Sequence, residues 1–387
     1  MNFKFYFSTA PPCIQPGRPD SSEDCLFLNL YTRYTSVEKP TKVPVFVFIG
    51  GNSLVTGSAE SNVHGPEYLL DYLVVLVVIQ YRLGALGFLS TGTEDAVGNI
   101  GFKDQAMALK FIKTHVSVFH GDPDKIVLFG GSAGSYSVSL HMVSPMSQKL
   151  FNSAIMMSGV IHPQKKYYPS QLDLAKEQAK YVCCLRSDIK AMVDCLRKVD
   201  AKKFAESAEK FLKFDLHPIY YWNPVIEPDF KQERFLTENP LVTYSSGKQA
   251  KIPMIVGLTE NEEQVFVNRI LKNDTLRREF DNPITGDHMR LAPIVFLYND
   301  LTFDKIRALW KDYVKVKTLE YNKESSDNLK YMFRDGLLGF SMDRVVRNSI
   351  ATQDVFFYFT GHAGSCSKFS EFGHTGNIKN ISYALIS

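Results

Sequence analysis

The sequence predicts an α/β fold with a mostly parallel sheet covered by helices on both faces. Three observations carry this. Short β-rich runs alternate with helical patterns along the chain. The longest apolar run, Leu73 to Ile79, reads as a buried strand. A Gly-x-Ser-x-Gly turn, Gly130 to Gly134, stands between a strand and a helix.

The elements follow in order. Val43 to Ile49 (VPVFVFI) is a strand that ends in Gly50-Gly51-Asn52-Ser53, and Leu73 to Gln80 is a second, after which Gly84 and Gly87 break the chain. Asp104 to Val118 has helical spacing, with Ala106, Leu109, Ile112 and Val116 on one stripe. Gly121-Asp-Pro123 punctuates it before a third strand, Lys125 to Phe129, and another helix begins just after Gly134. Lys251 to Gly257 and Val355 to Thr360 are the best later strands. Residues 165–250 and 265–350 are charged and helix-rich and read as insertions over the sheet. No internal repeat or Pro/Gly linker divides the 387 residues, so 1–387 reads as one domain.

Composition narrows the function classes. Hydrophobic residues at 45% and charged residues at 22% argue against a disordered or fibrous chain. The balance of 44 Lys+Arg against 41 Asp+Glu, with no long basic block, argues against a nucleic-acid partner. The apolar run 73–79 is too short for a transmembrane segment. Six cysteines show no Cys-x-x-Cys, and no His-Glu-x-x-His occurs, so no metal site is expected. Cys13 with Cys25 and Cys184 with Cys195 have loop-closing spacings, and six reduced thiols are the alternative. The sequons at Asn273 and Asn380 agree with a secretory origin, yet Met1 to Ala10 lacks the sustained apolar stretch of a signal peptide.

The chemistry centres on Gly130-Gly131-Ser132-Ala133-Gly134. A serine nucleophile works best on a sharp strand-to-helix turn that lifts its hydroxyl above the sheet. Such a turn leaves no room for a Cβ two residues either side. The bland alternative is a glycine-rich turn with a passive serine. A serine also needs a base, and the base an acid, in the order Ser, acid, His on this kind of sheet. Spacing leaves two bases open: His362, just past the strand Val355–Thr360, and His374, twelve residues further on.

Several motifs then resemble one family. Ser22-Glu-Asp-Cys-Leu-Phe-Leu-Asn-Leu-Tyr31, Tyr81 to Ser90 (YRLGALGFLS), Gly98 to Gln105 (GNIGFKDQ) and Phe119-His-Gly-Asp-Pro123 are similar to motifs of carboxylesterase type B, the cholinesterase-like family. They flank the serine turn in that family's order, with a flavour of insect carboxylesterases, some of which act on juvenile hormone. The resemblance implies an α/β-hydrolase fold and a cofactor-independent serine esterase. Gly257-Leu-Thr-Glu-Asn-Glu262 is similar to the family's Gly-x-Thr-x-x-Glu, which implies Glu262 as the acid. The family's histidine follows a glycine in a loop, which implies His374. Ser158, in Met157-Ser-Gly159, matches a serine that hydrogen-bonds near the acid. The pairs Cys13–Cys25 and Cys184–Cys195 match family disulfides and leave Cys183 and Cys366 unpaired.

The sequence also departs from the pattern. The family's His-Gly-Gly-Gly, whose amides bind the oxyanion, stands here as Gly50, Gly51, Asn52 and Ser53. The donors expected are the amides of Asn52, Ser53 and Ala133. Positive φ there would cost Ser53 about 1–2 kcal/mol, and a misplaced donor lowers turnover by roughly 10²–10³. Gly131 replaces the glutamate usual before the nucleophile, and Asn377 an acidic residue after His374. Against the family's length the chain reads as incomplete at both ends. The expectation is a serine carboxylesterase acting on a small apolar ester, slowed by its oxyanion loop, with the aromatics of Phe214 to Trp222 lining the pocket or packed as core. The alternative is a catalytically impaired relative serving adhesion or ligand binding. The family location is extracellular, and oligomeric state is not readable.

Overall fold

The computed structural model describes residues 10–33, 42–163, 165–281, 287–298, 303–316 and 318–361. Nine strands are present among them: β1 (Leu28–Tyr31), β2 (Val43–Ile49), β3 (Val75–Ile79), β4 (Ser90–Thr93), β5 (Ala96–Val97), β6 (Gly121–Gly131), β7 (Ser153–Met157), β8 (Met254–Thr259) and β9 (Val355–Thr360). β4 and β5 form a small two-stranded sheet, and the others form a seven-stranded sheet in the order β1-β3-β2-β6-β7-β8-β9. All its pairings are parallel except that of β1 with β3.

The sheet is buried on both faces, as the continuous apolar runs require. Val45, Val47 and Ile49 of β2 pack with Val75, Val77, Ile126 and Leu128 into the larger core. The alternate side chains, Phe48, Leu76, Val78, Phe129 and Met157, pack on the opposite face. This is the period of two expressed in a sheet covered twice. At the β9 edge Phe356, Phe357 and Phe359 are exposed.

Helix Ile100–His115 lies against this core, and its predicted stripe of Ala106, Leu109 and Ile112, with Val116 just beyond, is buried. It starts four residues earlier than helical spacing indicates. Asn99 takes a left-handed φ of 58° ahead of it. Its side chain donates to Val225 O (2.8 Å) and Glu227 Oε1 (2.9 Å) and accepts from Val225 N (3.0 Å). A contact 126 residues away thus sets the helix start, which no local pattern reveals. Insertions 165–250 and 265–350 are helical as expected, among them Leu172–Tyr181, Gln264–Lys272 and Lys323–Phe333.

Both expected disulfides are formed, Cys13–Cys25 and Cys184–Cys195. Cys183 is free and exposed, and Cys366 lies outside the described residues. Among the described residues no helix is long and apolar enough to cross a membrane.

Candidate active site

Three neighbouring parallel strands bring the expected residues to one edge of the sheet. Ser132 follows β6, Ser158 follows β7 and Glu262 lies just past β8. These are carboxyl ends, where open α/β sheets carry their sites.

Ser132 holds φ 53° and ψ −121°, a conformation costly for any residue with a Cβ. The surroundings impose it. Its amide donates to Met157 O at 2.8 Å, and its carbonyl accepts from Tyr136 N at 2.9 Å in the first turn of helix Ala133–His141. The turn closes only around glycines. A Cβ on Gly134 would lie 2.0 Å from Ile49 O, and one on Gly130 would lie 2.4 Å from Gly134 C. The hydroxyl-bearing residue at the apex is exposed while Ala133 is buried.

The acid is buried rather than solvated: Glu262 is 4% exposed. Its Oε1 accepts from Thr259 N at 2.7 Å and from the Ser158 hydroxyl at 2.5 Å. Ser158 itself sits at φ 58°, with its amide on Gly257 O at 2.9 Å. Two donors on one oxygen fix the carboxylate plane and leave Oε2 facing elsewhere. The adjacent Glu263 is at φ 62° and half-buried. Burial and the neighbouring Glu262 push its carboxyl up to about 8.

The loop after β2 packs directly on the serine turn. A Cβ on Gly51 would stand 2.5 Å from Gly131 O and 3.5 Å from Ala133 N. Beyond it Asn52, Ser53 and Leu54 occupy the left-handed region in succession, with φ of 73°, 60° and 63°. The positive φ considered for Asn52 and Ser53 is therefore present, and it extends to Leu54. Several contacts hold the loop. Tyr81 donates to Gly50 O at 2.8 Å, Gly84 N to Leu54 O at 2.7 Å, and Val55 N to Asn52 O at 3.1 Å. Gln15 clasps Gly57 through Gln15 Nε2 to Gly57 O (2.8 Å) and Gly57 N to Gln15 Oε1 (2.9 Å), and also bonds Cys13 O. The Cys13–Cys25 loop is thereby tied to the loop after β2.

Behind the serine turn lies a buried aromatic and basic cluster. Tyr136 packs on His162 (5.4 Å) and Tyr220 (5.6 Å), and Lys165 Nζ lies 4.8 Å above the Tyr220 ring while bonding Asn223 Oδ1. Burial lowers the Lys165 ammonium to about 7 and the His162 imidazole to about 3. Phe214, Tyr221 and Trp222 prove to be core. Tyr220 is buried in the same cluster.

Sequence reasoning missed Gln15 and Tyr81, which act through contacts distant in the chain, and Glu263, whose burial no spacing signals. Asn273 is exposed, its Oδ1 accepting from Thr275 N at 3.0 Å and Leu276 N at 3.1 Å. His362, His374, Asn377 and Asn380 lie outside the described residues. Among the described residues no group of three or more His, Cys, Asp or Glu side chains is placed to hold a metal ion.

Comparison with known proteins agrees with this fold. The carboxylesterase family model matches residues 7–385. Juvenile hormone esterase of Tribolium castaneum is 38% identical over 295 residues, covering 71% of this chain and 49% of that protein. Esterase E4 of Myzus persicae is 33% identical over 358 residues, covering 89% and 61%. Cholinesterase 1 of Branchiostoma lanceolatum is 36% identical over 316 residues, covering 80% and 86%. The chain thus spans about half to three-fifths of the length of the insect relatives. With its serine elbow on a doubly covered parallel sheet and a family match along nearly its whole length, the chain belongs to the carboxylesterase family.

Proposed function

We propose that the protein is a serine carboxylesterase that hydrolyses small apolar carboxylic esters. Ser132 Oγ attacks the ester carbonyl while its proton passes to the imidazole of His374. The carbonyl electron pair moves onto oxygen, held by the amides of Asn52, Ser53 and Ala133. Collapse expels the alcohol, which takes the proton back, and water then releases the acid from the acyl-enzyme by the same route. Glu262 fixes the imidazole through the oxygen that Thr259 and Ser158 leave open. One observation above all supports this reading: Ser132 and a buried, doubly anchored Glu262 stand at the ends of strands β6 and β8, with only β7 between them. The chain order Ser132, Glu262, His374 agrees with it.

The relatives that bear esterase names support ester hydrolysis as the reaction class. Positive φ at Asn52 and Ser53 supports a slow enzyme, because strain of about 1–2 kcal/mol per residue weighs on the donors. Two disulfides and exposed Asn273 support secretion and glycosylation.

The test is hydrolysis of a short aryl ester by single variants. His374→Ala should lower kcat by several orders of magnitude, and His362→Ala by less than about tenfold. The reverse order would transfer the base to His362. Loss in neither would remove the triad, and a folded wild type that hydrolyses no ester would favour a binding role.

A further inference from the structure

Gln15 is 5% exposed and uses both ends of its side-chain amide. Its Nε2 donates to Gly57 O at 2.8 Å and to Cys13 O at 3.0 Å, while its Oε1 accepts from Gly57 N at 2.9 Å. With donors and acceptor engaged, the amide cannot swing away without leaving backbone groups unpaired. Its base is fixed as well, since Cys13 is cross-linked to Cys25. The partner, Gly57, folds back on the start of its own loop: a Cβ there would stand 3.3 Å from Gly51 O. Gly51 in turn packs on the serine turn, where its own Cβ would lie 3.3 Å from Ser132 Cβ. The Gln15 amide thus reaches the serine turn through Gly57 and Gly51.

We propose that Gln15 is a positioning residue for ester hydrolysis: by clasping Gly57 onto Gly51 it keeps the amides of Asn52 and Ser53 in place for the oxygen that turns negative when Ser132 attacks. The inference rests on the esterase reading above. In this role Gln15 touches neither ester nor nucleophile and acts only through the loop after β2.

Three features fit this role. Asn52, Ser53 and Leu54 are left-handed in succession, a run that relaxes unless its surroundings hold it. The holds are spread along the loop: the Tyr81 hydroxyl on Gly50 O, Gly84 N on Leu54 O, and Gln15 on Gly57 at the exit. Within the loop, Val55 N and Thr56 N donate to Asn52 O at 3.1 and 3.3 Å. That carbonyl shares one rigid peptide plane with the Ser53 N–H, so a shift of residues 55–57 re-aims the donor. A preorganised donor lowers the barrier because it needs no movement as charge develops. A misplacement of about 1 Å can cost roughly 10²-fold.

The experiment compares wild type, Gln15→Met and Gln80→Met in aryl ester kinetics and in binding of phenylboronic acid, which adds to serine as a tetrahedral anion. Methionine keeps the volume of glutamine and removes its hydrogen bonds. Gln80 is the control. It is buried and holds the same disulfide loop, through Pro11 O at 3.2 Å and Cys25 O at 3.0 Å, but meets the chain after β2 only at Ala59 N, 3.4 Å away and past Gly57. Both variants should melt at a lower temperature. For Gln15→Met, kcat should fall by about tenfold or more with KM within about twofold, and the boronate Kd should rise in the same proportion. Gln80→Met should keep kcat and boronate Kd within about twofold of wild type. A lower melting temperature with kcat and boronate Kd unchanged in Gln15→Met, a change confined to KM, or equal losses of kcat in both variants overturns the proposal. Hydrogen exchange in the wild type gives an arm that needs no variant to fold. Boronate held by the Asn52 and Ser53 amides should, by reciprocal coupling, slow exchange at the Gly57 amide by about fivefold or more. Exchange there that ignores bound boronate overturns the proposal. Wild type that neither binds boronate nor hydrolyses the ester would overturn the esterase reading and this inference with it. Wild-type activity with an indifferent Gln15→Met overturns this inference alone.

Discussion

The hydroxyl of Ser158 donates a 2.5 Å hydrogen bond to Glu262 Oε1, joining residues 104 positions apart at the ends of adjacent strands. With the Thr259 amide on the same oxygen at 2.7 Å, it orients the buried carboxylate without occupying its second oxygen. Ser158→Ala keeps the Cβ and hence the positive φ, so only the hydroxyl is lost. A hydrogen bond to a charged buried group contributes about 1.5–3 kcal/mol, so the variant should melt several degrees lower. Its kcat should fall about tenfold with KM little changed, because a loosened acid misorients the base in the transition state. Thermal melts and steady-state kinetics check both. A variant with full kcat would reduce Ser158 to strand-end packing.

Glu263 carries a pH signature. Its ordinary value of 4.5 is pushed up to about 8 by burial and by Glu262. Between those two pH values the folded protein holds a proton that the unfolded chain has released, so this group's contribution to stability declines as pH rises through the window. Glu263→Gln lacks the titration. The melting temperature of wild type relative to Glu263→Gln should therefore fall between about pH 4.5 and pH 8 and level off above it. A difference that stays flat would contradict a protonated Glu263 in the folded state.

Much of this architecture is legible in the residues. β9 is read at its observed bounds, and β2 likewise, because both are dense in β-branched and aromatic side chains. β3 and β6 are found with shifted ends. β1 (LNLY) is too short and half-buried to stand out, and β7 (SAIMM) carries Ala and Met where a strand signal needs branching. The serine turn is legible because its glycines answer a steric demand that is local. Glu262 is not legible that way. Among Glu260, Glu262 and Glu263 the proposed acid is set apart by its 4% exposure and by its hydrogen bond from Ser158, 104 positions away. Family resemblance supplied it where spacing could not.

The loop after β2, proposed to hold the oxyanion, yields a further prediction. Asn52, Ser53 and Leu54 all sit at positive φ, and glycine at the first two removes the Cβ penalty there. The Asn52→Gly, Ser53→Gly double variant should raise kcat by roughly tenfold or more with KM little affected, since those amides act on charge present only in the transition state. Strain relief of about 1–2 kcal/mol per site opposes a loss of about 0.4–1 kcal/mol from the freer unfolded chain. The melting temperature should therefore hold or rise slightly. Kinetics on one aryl ester beside the wild type decides it. An unchanged kcat would show that the side-chain-bearing loop already presents its amides well.

Covalent labelling tests most directly whether Ser132 is an activated nucleophile. The protein is incubated with a fluorophosphonate probe, digested, and the adduct located by mass, with Ser132→Ala alongside. The predicted result is one adduct on the peptide containing Ser132, absent from the Ser132→Ala variant together with aryl ester hydrolysis. A folded preparation that takes up no probe, or one labelled at another serine while Ser132→Ala retains activity, would contradict it.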